Sequence, residues 1–83
     1  MKNKYNTYDV VRINKSFTIK LNDIEVQYPT NIEGTIMECF DKEYLIEVEN
    51  ENSSDVDYAL IEEDYLELVW KADWKLALIL TSI

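Results

Sequence analysis

GTIMECFDKEYLIEVEN, residues 34–50, carries the clearest strand pattern in this sequence. It holds two runs rich in β-forming residues, 34–40 and 43–50, separated only by Asp41 and Lys42. Such a spacing is typical of a tight β-hairpin, although this turn lacks the usual glycine. The stretch therefore predicts two antiparallel strands that are neighbours in a sheet.

The second run also predicts which side of the sheet is buried. Alternate residues of a strand point to opposite faces. One set is apolar and the other is largely charged; the sets are Tyr44, Ile46 and Val48, and Leu45, Glu47 and Glu49. This alternation indicates a half-buried antiparallel sheet with one face toward water.

Working outward, further short strands are predicted on both sides of the hairpin. YDVVRI (8–13) places Val11 and Ile13 inward and Arg12 outward, and residues 56–61 and 65–70 read as two more strands joined by one helical turn at 62–64. The mixed segment 14–32 predicts a structured excursion with a short strand at 24–28. These elements predict an all-β domain, a small barrel or sandwich.

The C-terminal residues 71–83 form an apolar extension that fits a strand or a helix. Its alternate positions are apolar, as in a strand, whereas its Ala, Leu and Lys residues also favour a helix. It is too apolar to lie free in water, so we expect it to pack on the barrel or to form a homodimer. With only 83 residues, we expect one domain, 1–83, made of a β-barrel at 8–70 and this extension.

The net charge is −9, and it is unevenly distributed. Residues 1–30 carry a net +2 and residues 31–83 a net −11, with ten acids and no base between Glu43 and Trp70. Anionic lipid and nucleic acid should be repelled on average, whereas a cationic partner fits. Nucleic acid and membrane are therefore not expected partners.

The residues argue against catalysis and metal binding. The chain has no histidine, and Cys39 lies in mid-strand without a neighbouring base, so a buried structural thiol is expected and an enzyme is not. ENENSSDVD (49–57) has oxygen ligands but lacks the glycine and the glutamate that a calcium loop needs. No catalytic residue, metal or cofactor is predicted.

Acidic residues interleaved with tyrosines point instead to protein binding. Carboxylates steer a cationic partner, and aromatic side chains anchor interfaces. The predicted contact residues are Glu47, Glu49, Asp55, Asp57, Tyr58, Glu62, Glu63, Asp64, Tyr65 and Glu67. A plain solvated face is the alternative for the acids, and core packing is the alternative for Tyr58, Tyr65, Trp70 and Trp74.

YDVVRI (8–13), EGTIMECF (33–40), YLIEVEN (44–50) and DYALIEEDYLELV (57–69) together resemble a bacterial family of small domains. The family is similar to SH3-like barrels with a KOW-like hairpin, so the resemblance implies a small five-stranded antiparallel SH3-like barrel. The glycine-free segment 21–33 and the last thirteen residues depart from the family pattern. Genes of such proteins often lie beside toxin genes, which implies an immunity or antitoxin role.

The resulting expectation is an immunity protein that blocks a basic toxin with nuclease activity through its acidic surface. An acidic DNA mimic, such as a phage anti-defence protein, is an alternative that requires a regular double row of carboxylates. A structural interaction module that uses residues 71–83 is another. Without a signal peptide or a membrane-spanning run, we expect a cytoplasmic protein. The main hypothesis requires that Arg12, Lys15 and Lys20 do not cover the carboxylates.

Overall fold

The computed structural model describes residues 3–50 and 55–72, and they form seven strands. The strands are β1 (Val10–Ile13), β2 (Phe17–Leu21), β3 (Ile24–Tyr28), β4 (Ile32–Phe40), β5 (Glu43–Glu49), β6 (Val56–Glu62) and β7 (Leu66–Trp70). One 3₁₀ turn, Glu63–Tyr65, joins β6 to β7. No helix in the described ranges is long and apolar enough to cross a membrane.

Five of the strands form one antiparallel sheet in the order β6, β5, β4, β1, β7, and β2 and β3 form a separate hairpin. The predicted all-β class and five-stranded antiparallel sheet are therefore confirmed. The closed barrel is not: β6 and β7 are the two edges of the sheet and do not pair with each other. Instead of joining this ladder, the hairpin inserted after β1 packs against the core.

The core lies between the sheet and this hairpin. Val11, Ile13, Ile36, Tyr44 and Ile46 are fully buried, which confirms the inward positions predicted in β1 and β5. Each such side chain contributes about 1.5–3 kcal/mol by leaving water. Partly buried residues of the hairpin pack against this cluster; they are Phe17, Ile19 and Val26.

Gly34 is the only glycine, and it allows β4 to approach β5 closely. A Cβ at this position would meet the Ile46 side chain, and it would lie 2.8 Å from the Glu47 carbonyl oxygen and 3.0 Å from Val48 Cγ1. Two residues farther along, the pairing of β4 with β5 shifts between Ile36 and Glu38. The β4–β5 hairpin thus includes a close contact and a register shift that the alternation of its residues does not reveal.

The sequence located most strands but missed β2, which lay inside the mixed segment 14–32. The sequence pattern that could have predicted β2 is only four residues long: Phe17 and Ile19 alternate with the polar Thr18 and Lys20. The strand predicted at 24–28 is β3, and the helical turn predicted at 62–64 is the 3₁₀ turn one residue later. Residues 73–83 lie outside the described residues, so the strand or helix predicted there, and a homodimer through it, stay predictions.

Candidate protein-binding surface

The candidate site is the solvent-facing side of β5 and β6, which we call the outer face. Antiparallel residues that pair directly point to the same side of a sheet, and the buried Tyr44, Ile46 and Val48 define the inner side of β5. The outer face therefore comprises Glu43, Leu45, Glu47 and Glu49 of β5 and their partners Glu62, Leu60, Tyr58 and Val56 of β6.

Neighbouring residues of β4 extend this face. Phe40 pairs with Glu43, Glu38 with Leu45, and Thr35 with Glu47. Apolar side chains are exposed among these carboxylates: Tyr58 is 51%, Leu60 53% and Phe40 44% exposed. Exposed apolar side chains next to carboxylates make the outer face a candidate for partner binding.

No ion pair between described residues involves a carboxylate of the outer face, although Lys42 lines one depression together with Glu43 and Glu62. Between described residues the ion pairs are Arg12–Glu33 at 3.4 Å, Arg12–Glu67 at 3.6 Å and Lys20–Glu25 at 3.9 Å. Lys15 lies over the Tyr65 ring, 4.3 Å from its centroid. Glu67 is thus the one predicted contact residue that forms an ion pair with Arg12. The negative charge of the outer face is not neutralised by an ion pair between described residues.

The structure brings four of the predicted contact residues together on the outer face: Glu47, Glu49, Tyr58 and Glu62. It separates others from them. Asp57 belongs to the inner side of β6, where it pairs with Val48 and accepts a hydrogen bond from the Tyr28 hydroxyl. Glu67 lies on β7 beside Arg12, at the other edge of the sheet. Asp55 is exposed just before β6.

Glu63 and Asp64 lie at the end of the sheet rather than on its face. With Asp41, Lys42, Glu43 and Glu62 they line an open depression of about 310 Å³. The Glu63 carboxylate accepts hydrogen bonds from the Tyr44 hydroxyl at 2.5 Å and the Lys4 amide at 3.1 Å. These bonds lower the pKa of Glu63 below its ordinary 4.5, the Tyr44 bond most of all. Glu63 therefore has a structural role. Within 3–50 and 55–72, no acidic group has a metal-binding arrangement.

A second depression, of about 620 Å³, adjoins the outer face where β3 ends, β4 begins and β5 ends. Its carboxylates are Glu33, Glu47 and Glu49, and its other polar groups include Gln27 and Asn31. Since Glu47 and Glu49 belong to both, the anionic surface continues from the outer face into this groove.

The aromatic residues divide between core and surface. Tyr58, Tyr65 and Trp70 are exposed, so core packing does not account for these three, whereas Tyr5, Tyr28 and Tyr44 are buried. Trp74 lies outside the described residues. Cys39 is only partly buried; its sulfur is 3.8 Å from both the Thr7 hydroxyl oxygen and the Tyr5 carbonyl oxygen. The thiol is therefore less buried than the sequence analysis predicted.

Sequence reasoning missed Phe40, Glu43, Leu45 and Leu60 as members of the surface. The signal was present for Leu45, which alternation already placed on the side of Glu47 and Glu49. For Phe40 and Leu60 it was absent, because an apolar residue in a strand is ordinarily assigned to the core. Their exposure follows from strand pairing, not from residue type.

No protein-family model, curated protein or solved structure matches this chain. The resemblance to a bacterial family of SH3-like domains therefore stays a prediction.

Proposed function

We propose that this chain is the immunity protein of a basic toxin, and that its outer face covers the cationic substrate cleft of a nuclease. The observation that carries the proposal is the outer face itself, where exposed Tyr58 and Leu60 lie among Glu43, Glu47 and Glu62. None of these carboxylates has an ion-pair partner among the described residues.

Each component has a physical role in such binding. The uncompensated carboxylates attract a cationic surface over distances of about 10 Å and raise the association rate. Burial of Tyr58 at contact, with Leu60 and Phe40 beside it, would then slow dissociation, since a few buried anchors such as tyrosine contribute most of the binding free energy. Fast association suits an inhibitor that must act before its target does.

We also propose that the fold is SH3-like. The features that support this are a hairpin between the first two strands of the sheet, a nine-residue β4 with a register shift, and a 3₁₀ turn before the last strand. The inhibitor role rests on the surface and not on this architecture, because one fold serves many functions.

The arrangement of carboxylates argues against an acidic DNA mimic. Such a mimic needs parallel rows of regularly spaced charges. On the outer face the β5 row is interrupted by Leu45, and the β6 row contains Val56, Tyr58 and Leu60 before Glu62. The described residues therefore form no regular double row, and contact with an amphipathic protein surface fits them better.

The proposal is tested with the genes that flank this one. Each flanking gene is expressed in bacteria with and without the chain, and growth is measured. We expect one product to stop growth, the chain to restore it, and the two purified proteins to form a complex. If no flanking product is toxic, or if the chain restores no growth, the immunity function is wrong.

Charge-reversal variants locate the interface. Glu47→Lys with Glu62→Lys should slow association with that product at low salt by about tenfold or more. The matched control is Asp23→Lys with Glu25→Lys, which changes the net charge equally at exposed positions in and beside the β2–β3 hairpin. Equal association rates for the two double variants would remove the outer face from the interface.

A further inference from the structure

Among residues 3–50 and 55–72, no strand pairs with the outer edge of β6. Strand β6 pairs with β5 along its whole length, Val56–Glu62, without a register shift, and it is the last strand of the sheet on that side. Strand β2 lies nearby, but no backbone hydrogen bond between described residues joins β2 to β6. A strand edge of this kind can pair with another extended chain.

The hydrogen bonds at both ends of β6 show which backbone groups are unpaired. The Asn50 amide donates to the Asp55 carbonyl at 3.2 Å, and the Glu63 amide donates to the Lys42 carbonyl at 2.9 Å. In an antiparallel ladder, bonded pairs recur at every second residue. Residues 57, 59 and 61 therefore face β5, and the amides and carbonyls of Val56, Tyr58, Leu60 and Glu62 face the open edge.

Several of the usual protections of an edge strand are missing from β6, although the inward-pointing Asp57 is one such protection. Its sequence, VDYALIE, has no proline and no lysine, and the strand has no bulge. The opposite edge differs, because the five-residue β7 pairs with β1 through a register shift at Val10 and Val11. Of the two edges of the sheet, β6 is the longer and more regular template.

We propose that the β6 edge binds an extended segment of the partner by strand addition, and that this segment alternates lysine or arginine with apolar residues. The inference rests on the proposed function, since it describes how the same outer face is engaged. Outward side chains of the added strand would lie directly beside Tyr58, Leu60 and Glu62. A lysine there reaches the Tyr58 ring and the Glu47 carboxylate one strand farther away.

Charge determines which kind of chain can pair with the β6 edge. Two copies of this chain, each with a net charge of −9, would bring the carboxylates of both outer faces together if their β6 strands paired. Like charges across a strand pair destabilise it, whereas opposite charges stabilise it. The edge therefore disfavours self-association and selects a cationic strand.

The test uses a synthetic peptide of alternating lysine and valine, about nine residues long so that it spans one strand. Its matched control has the same residues with N-methyl groups on alternate amides, which keeps the charge and the side chains but blocks strand pairing. Binding to the full chain is followed by fluorescence anisotropy, and amide exchange is followed by NMR. We expect about tenfold weaker binding of the methylated peptide, because the main-chain hydrogen bonds are lost.

Slower amide exchange at Val56, Tyr58, Leu60 and Glu62 in the bound state is the direct signature. Leu60→Pro removes one edge amide without removing a bond to β5, so it should weaken peptide binding more than Leu60→Ala does. Circular dichroism shows whether the proline variant folds; if it does not, the methylated peptide decides. Equal affinity for both peptides, or unchanged exchange at these four amides, overturns the inference.

The immunity function and strand addition at β6 can be contradicted independently of each other. If the lysine peptide protects the β6 amides but the chain neutralises no flanking gene product, the immunity function is wrong and strand addition stands. If the chain neutralises a toxin while these amides exchange as in the free protein, strand addition is wrong and the immunity function stands.

Discussion

At the scale of single residues, Tyr44 connects the core to the acidic end of the sheet. Its side chain is fully buried and packs edge-on against Tyr5, with ring centroids 5.6 Å apart. Its hydroxyl accepts from the Tyr5 amide at 3.2 Å and donates to Glu63 at 2.5 Å. A buried polar group is tolerated when its hydrogen bonds are made, and here all are.

Tyr44→Phe should lower the free energy of unfolding at neutral pH by about 1–3 kcal/mol, because the buried Tyr5 amide loses its acceptor. Urea unfolding followed by circular dichroism measures the change. Tyr58→Phe is the control, since it removes a hydroxyl from an exposed ring. A Tyr44→Phe protein as stable as the parent would show that this hydrogen bond does not contribute.

Tyr44→Phe should also reduce the loss of the free energy of unfolding that occurs as the pH rises above 10.0. Burial, and then the bond to Glu63, raise the pKa of Tyr44 from 10.0 to about 12. The folded state thus favours the protonated phenol, so its stabilisation is complete below pH 10.0 and is lost as pH rises toward 12. Tyr28, raised to about 12 by burial and Asp57, adds to the decline. Urea unfolding at several pH values measures this dependence. If the free energy of unfolding falls equally with pH in the parent and in Tyr44→Phe, this account is wrong.

At the scale of elements, the β4–β5 turn sets the register on which both faces depend. Phe40 pairs with Glu43 across Asp41 and Lys42, and Lys42 adopts a left-handed conformation with φ 59°. A slip of one residue would turn Tyr44, Ile46 and Val48 out to water. This register is held although the turn residue is a lysine, which makes the turn a point of local strain.

Lys42→Gly should be more stable than Lys42→Ala by about 1 kcal/mol, because glycine adopts positive φ without the steric cost that a Cβ carries. Both variants lose the positive charge near Glu63, so their difference isolates the backbone conformation. Chemical unfolding of the two variants side by side gives the value. If alanine is as stable as glycine, the turn is not strained at this residue.

At the scale of the whole molecule, one side of the five-stranded sheet stabilises the fold and the other concentrates negative charge. The inner side joins all seven strands in a single core cluster, whereas the outer face carries carboxylates of β5 and β6 that form no ion pair with another described residue. Repulsion among them works against folding and is reduced when a cationic partner binds or when salt screens it.

Raising the ionic strength from about 0.01 M to about 0.15 M should therefore increase the thermal midpoint, because the Debye length falls from about 30 Å to about 8 Å. Scanning calorimetry at both salt concentrations measures the shift. A variant with Glu43→Gln, Glu47→Gln and Glu62→Gln should respond less than the parent. An equal response would mean that the repulsion arises elsewhere in the chain.

Alternation and spacing in the sequence were enough to predict the all-β class, the strands that became β1 and β3 to β7, and the inner residues of β5. These depend on local physics, since a strand has a period of two and a tight turn fixes its own pairing. The net negative charge of the later strands also follows from the residues alone, and it pointed to a cationic partner.

Only the tertiary structure decided which predicted acids act together. It joined Glu47 and Glu62 on one face, turned Asp57 toward Tyr28, and paired Glu67 with Arg12. It also left the sheet open at β6 and exposed Leu60 and Phe40. Strand order and closure arise from contacts between residues far apart in sequence, and local periodicity does not encode them. The amino-acid sequence therefore determined the strands and their charge, and the packing of the β2–β3 hairpin on the sheet determined the surface.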